Sequence, residues 1–119
     1  MNKREAGAQW ERRAEQWLRG QGLRTLRRNF LCRVGEVDLV MNDGGVTVFV
    51  EVRFRGPGSH VSAAESVSPR KQLRLARAAG MFLRQHPALA AGACRFDVVA
   101  FEQEQQPRWI RNAFESPVV

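Results

Sequence analysis

The chain has 119 residues, 44% of them hydrophobic, enough to bury one ordinary core without disulfide or metal staples. Its formal net charge of +7 favours polyanionic partners, because each neutralised phosphate releases counterions. No run approaches the roughly 18 apolar residues of a membrane span, and the charged opening MNKREAGAQWERRAEQWL lacks the apolar stretch of a signal peptide, so a cytoplasmic protein without membrane contact is expected.

Along the chain, KREAGAQWERRAEQWLRGQG reads as a helix. Ala6, Trp10, Ala14, Trp17 and Leu18 recur at helical spacing, and Gly20 and Gly22 supply the stop. Leu26, Phe30 and Cys32 favour a strand in the next segment. EVDLVM and VTVFVEVR are Val-rich strands parted by Asn42, Asp43, Gly44 and Gly45, which makes a hairpin. Residues 54–67 read as a mobile loop around Gly56, Pro57, Gly58 and Ser59. Ser68 as N-cap and Pro69 at the first helical position open a second helix, which ends near Gln85 before His86-Pro87. CRFDVVAF is a further strand, and RWIRNAF a last, edge-like one. The fold class expected is α/β: one domain over residues 1–119, a mixed sheet flanked by helices. Cys32 and Cys94 form no CxxC pair and have no His at ligand spacing, which excludes a zinc finger and leaves free, partly buried thiols.

Asp38 and Glu51 lie inside the hairpin strands, where an ionised carboxylate without a partner is costly. A Gly44-Gly45 turn sets Asp38 directly opposite Glu51, and Glu36 opposite Arg53. An Asp43-Gly44 turn sets Glu51 opposite Glu36, with Asp38 one diagonal step away. Either even loop keeps the acids on one face. Directly opposed side chains have Cβ atoms about 5 Å apart, and like charges so placed repel. A hard divalent cation such as Mg²⁺ removes that repulsion, and Arg53, two residues on, is placed to hold a phosphate or stabilise developing negative charge. The competing arrangement is an ion-pair network in which Arg53 bridges Glu51 and Asp38 without metal.

Three other residues bear on the site. Glu11 stands at the edge of the apolar stripe of the first helix, able to lean toward the sheet. Lys71 lies in the first turn of the second helix, the end that welcomes phosphate. Asp97 in RFDVV needs a partner, and Arg95 on the same face is the simplest. On the second helix Arg70, Arg74, Arg77 and Arg84 share one face, beside Leu73, Ala76, Gly80 and Leu83 as the expected docking face. Together with Lys71, these arginines are the expected nucleic-acid contacts.

GAQWERRAEQWL, RRNFLCRVGEVDLV, VFVEVRFR, PRKQLRLARAA and RFDVV give the chain a resemblance to a known family. It resembles the YraN family of small bacterial proteins, which look like PD-(D/E)xK nucleases of the Holliday-junction-resolvase or tRNA-endonuclease-like type; the likeness covers about residues 5–115. The resemblance implies an αβββαβ, restriction-endonuclease-like core with Mg²⁺ or Mn²⁺ at the hairpin. Asp38 matches the first metal-binding acid, Glu51 the second, and Glu11 the helix-borne acid of many such sites. Arg53 stands where the motif usually has Lys. Arg effectively never deprotonates, so a charge-stabilising role survives the exchange and a general-base role does not.

The function expected is therefore metal-dependent endonuclease action on nucleic acid, DNA before RNA, with branched DNA among the substrates. The alternative is a nucleic-acid-binding module on a nuclease-like fold with weak or no catalysis. A third reading is a protein-interaction subunit. Junction-cutting relatives of the fold act as dimers, which makes a homodimer the assembly to look for.

Overall fold

Helix α1 (Lys3–Gly20) leads into a five-stranded sheet whose spatial order follows the sequence, β1-β2-β3-β4-β5. The strands are β1 (Arg24–Cys32), β2 (Gly35–Asp43), β3 (Val46–Arg55), β4 (Cys94–Glu102) and β5 (Arg108–Phe114). Helix α2 (Pro69–Gln85) and the short α3 (Pro87–Ala90) connect β3 to β4, which pair in parallel; the other pairs are antiparallel. This is a mixed α/β architecture with the expected αβββαβ order, seen in a computed structural model that describes residues 3–55, 66–102 and 106–117. Of the loop expected over residues 54–67, Phe54 and Arg55 instead continue β3, and residues 56–65 lie outside the described residues. Among those described, no helix is long and apolar enough to cross a membrane.

The local signals act where the chemistry says they should. The end of α1 is tied down by Leu23 N–H donating to the Leu18 carbonyl at 3.1 Å, with Gly22 at φ +102°, which favours glycine. Ser68 Oγ accepts from Lys71 N–H at 3.2 Å, which fixes the start of α2. Gly44 and Gly45, at φ +59° and +97°, make the two-residue turn. Of the two registers open in the sequence, this selects the one with Asp43 paired to Val46.

Two apolar layers cover the sheet. On one face α1 packs Ala14 and Leu18 against Leu39, Met41, Val48, Val50 and Val99. On the other, α2 packs Leu75, Ala78, Ala79 and Phe82 against Phe30, Val37, Val40 and Phe49. The docking face of α2 is thus only partly the expected one: Ala76 is buried, but Leu73 and Leu83 are only half-buried and Gly80 is exposed. The small Ala78 and Ala79 let the helix approach the sheet, and Phe82 fills the gap between Phe30 and Phe49. Both cysteines are free; Cys32 is half-buried and Cys94 is exposed rather than partly buried.

Asp97 is fully buried and has the expected partner, Arg95 Nε at 3.0 Å. Its carboxylate also accepts from Trp109 Nε1 and from the Asn112 backbone N–H, both at 2.9 Å. Arg95 reaches on to Asp43 at 2.8 Å. The network clamps β5 and the turn end of the hairpin, so Asp97 supports the sheet rather than the acids at positions 38 and 51.

Candidate functional site

Strict alternation would put Val37 and Leu39 on one face of β2. Instead Val37 packs in the α2-side layer and Leu39 in the α1-side layer. The opposing strand switches at the same level: β1 pairs Phe30 with Val37 and Arg28 with Leu39, around Asn29 at φ +48°. Asp38 sits at this switch, where β2 leaves β3. Pairing with β3 runs from Asp43–Val46 to Leu39–Val50, and the Asp38 carboxylate takes the next backbone donor, Val52 N–H, at 2.9 Å.

Glu51 is buried on β3 beside this opening. Burial above all, then the neighbouring Glu51 carboxylate, push the Asp38 carboxyl up to about 8, against the pull of the Val52 N–H. Burial likewise raises Glu51, with Lys71 and Arg53 pulling the other way. The switch in β2 is the kind of irregularity that could have parted the two acids, yet it brings them together.

Glu11 on α1 and Glu36 on β2 gather with Asp38, and Glu51 lies outside that set of three. One oxygen from each of Glu11, Glu36 and Asp38 lies within 4.8 Å of the others. Trp10, stacked on Phe54 with ring centroids 4.6 Å apart, anchors this turn of α1, and Asn29 Nδ2 donates to Glu11 at 2.7 Å. Glu36 is an addition to the expected set. The hairpin reading opposed it to Arg53, but it pairs with Leu31 of β1. Its signal in the sequence was its spacing, two residues before Asp38 on one strand.

The cations are arranged differently from expectation. Arg53 does not bridge Glu51 and Asp38. Its guanidinium is 3.7 Å from Glu51 Oε1 and donates to the Ser66 carbonyl at 3.2 Å. Lys71, expected among the nucleic-acid contacts, has its ammonium 3.3 Å from Glu51 Oε1. A cavity of about 450 Å³ opens beside Asp38, lined by Leu31, Arg33, Glu36, Lys71 and Arg74 among others. Gly35 makes this junction close: a Cβ there would meet the Arg74 carbonyl oxygen at 3.1 Å. Arg70, Arg74, Arg77 and Arg84 are exposed on α2, and Arg74 reaches the cavity, so the basic face is continuous with the acids.

Glu15 is the internal contrast. It exposes as little surface as Glu51 but has far less protein packed around it, and its carboxyl lies below the usual range: burial raises it, but hydrogen bonds from Arg28 and Thr25 outweigh that. Arg28 NH2 stands 2.8 Å from Glu15, and Thr25 Oγ1 donates at 2.6 Å. At Glu15 the neighbours outweigh burial, while at Glu51 burial outweighs both Lys71 and Arg53.

Residues 10–101 match the profile of the Uncharacterised protein family UPF0102. The chain belongs to the UPF0102 family. This is the YraN family that the sequence motifs resemble. A UPF0102 protein of Alkalilimnicola ehrlichii is 51% identical over 113 residues, covering 95% of this chain and 89% of the relative. One from Klebsiella pneumoniae is 48% identical over 112 residues, covering 93% and 87%. One from Stutzerimonas stutzeri is 51% identical over 114 residues, covering 93% and 95%.

Proposed function

We propose that this UPF0102 protein is a divalent-metal-dependent endonuclease, with DNA the first substrate to test. The observation that carries the reading is the Asp38–Glu51 pair: two neighbouring buried carboxyl groups, both raised above their usual range, with Glu11 and Glu36 gathered beside Asp38. Structural acids are normally answered in place, as Glu15 is. Hard oxygen donors gathered at one point suit Mg²⁺ or Mn²⁺. Asp38 and Glu51 would hold the ion, with Glu11 and Glu36 within reach to ligate or orient water. Such an ion supplies a low-pKa water and neutralises phosphate charge.

The remaining steps belong to the chain. Arg33, Lys71 and Arg74 around the cavity would hold the phosphates beside the scissile bond. The exposed arginines at positions 70, 77 and 84 would follow the backbone without reading sequence. A second reading, a binding module with weak or no catalysis, is favoured by Arg53, whose guanidinium is partly taken up by the Ser66 carbonyl.

The test is cleavage of end-labelled branched, single-stranded and duplex DNA with Mg²⁺ or Mn²⁺. Metal-dependent product that disappears in Asp38→Asn supports the nuclease. Salt-dependent binding without product in any metal supports the binding module instead.

A further inference from the structure

We propose that Lys71 on α2, rather than Arg53 on β3, is the cation that acts with the Asp38–Glu51 pair; the inference deepens the nuclease reading and rests on it. Three observations carry it. The Lys71 ammonium lies 3.3 Å from Glu51 Oε1, nearer than the Arg53 guanidinium at 3.7 Å. Arg53 is held aside by its hydrogen bond to the Ser66 carbonyl. Lys71 also lines the cavity beside Asp38, whereas Arg53 is not among its walls.

Lys71 therefore touches both the buried acid and the space a phosphodiester would enter. Its ammonium has three donors on a flexible stem, so one can rest on Glu51 while others face the cavity. Without substrate it neutralises Glu51. With a phosphodiester in place it donates to a non-bridging oxygen and stabilises the negative charge that builds there. No proton is transferred in this role. A motif lysine would come two residues after Glu51 on the same strand; here the charge arrives from the first turn of a helix on the next connection. The site thus has its lysine although the sequence position has an arginine.

The experiment compares wild type, Lys71→Ala, Lys71→Gln and Arg53→Ala by two readouts. The first is Mn²⁺ affinity by calorimetry without nucleic acid. Removing the ammonium beside Glu51 should tighten Mn²⁺ several-fold in both Lys71 variants and change it less in Arg53→Ala. The second is the initial rate on single-stranded DNA with Mn²⁺. Lys71→Ala should lose about 100-fold, the scale of removing one charge-stabilising donor, and Arg53→Ala less than about 10-fold. A larger rate loss in Arg53→Ala, or Mn²⁺ affinity unmoved by the Lys71 variants, overturns the assignment. Should the wild type prove inert, the nuclease reading fails and the Mn²⁺ comparison alone decides for or against Lys71.

Discussion

Asp38 and Glu51 meet where β2 leaves β3: Asp38 accepts the Val52 N–H at 2.9 Å, and the neighbouring Glu51 carboxylate adds to burial in raising its carboxyl. The pair holds a proton that isolated acids would have lost, so it ties stability to pH. Asp38 keeps its proton up to about pH 8 in the folded protein, against 3.8 as its ordinary value. Below 3.8 both states are protonated and the group's stabilising contribution is complete. Above it the unfolded chain sheds the proton first, and that contribution is lost as pH rises toward 8. The melting temperature of metal-free protein should therefore fall more from pH 5 to pH 8 in wild type than in Asp38→Asn. Equal slopes in the two would show that Asp38 is ionised throughout.

The acids on neighbouring elements should matter for metal and not for folding. Glu11→Gln and Glu36→Gln should each weaken Mn²⁺ by about 10-fold, in the range seen for residues that orient ligands, with unchanged melting temperature. Calorimetry of the two variants checks this, and full Mn²⁺ affinity in both would reduce the site to Asp38 and Glu51.

Asp97 should behave in the opposite way. Asp97→Ala leaves Arg95 and the Trp109 indole N–H without their buried acceptor. Removing one partner of a buried pair costs about 3–5 kcal/mol, so denaturant unfolding should show a large loss. If the variant is folded at low temperature, its Mn²⁺ affinity should match wild type, since the network lies at the turn end of the hairpin.

The helix surface gives a separable prediction. Arg77→Glu with Arg84→Glu should weaken DNA binding alike for all sequences and reduce the salt slope by about one unit per lost phosphate contact. Arg74→Glu should in addition alter Mn²⁺ binding, because Arg74 lines the cavity beside Asp38. An unchanged slope in the double variant would remove this face from the docking surface.

What could be read beforehand follows from how local each cause is. Ser68-Pro69 starts a helix through its own backbone chemistry and is where the sequence put it, while Gly44-Gly45 is one of the two hairpin turns the sequence left open. The apolar stripe of α1 was equally plain, since Ala14 and Leu18 need only helical spacing to face the sheet. The face change at Asp38 was not legible. It depends on Asn29 in the partner strand, at a φ that asparagine tolerates but nothing in its neighbours demands. The docking face of α2 was misjudged because Ala78 and Ala79 carry little hydropathy yet allow the closest approach. Lys71 looked like a surface cation for a similar reason: its partner Glu51 is distant in sequence, and only the packing of α2 against Gly35 brings them together.

A pair of acids built to hold a divalent cation should bind one in isolation, and calorimetric titration of metal-free protein with Mn²⁺ at pH 7 measures that binding. A ligand carboxyl must give up its proton, so the titration is run in two buffers of different ionisation enthalpy. Binding should be saturable with release of about one proton per ion, as expected when a protonated carboxyl becomes a ligand, and both should be lost in Asp38→Asn. Absence of saturable Mn²⁺ binding by the wild type, or binding that survives unchanged in Asp38→Asn, would contradict a metal site at this pair.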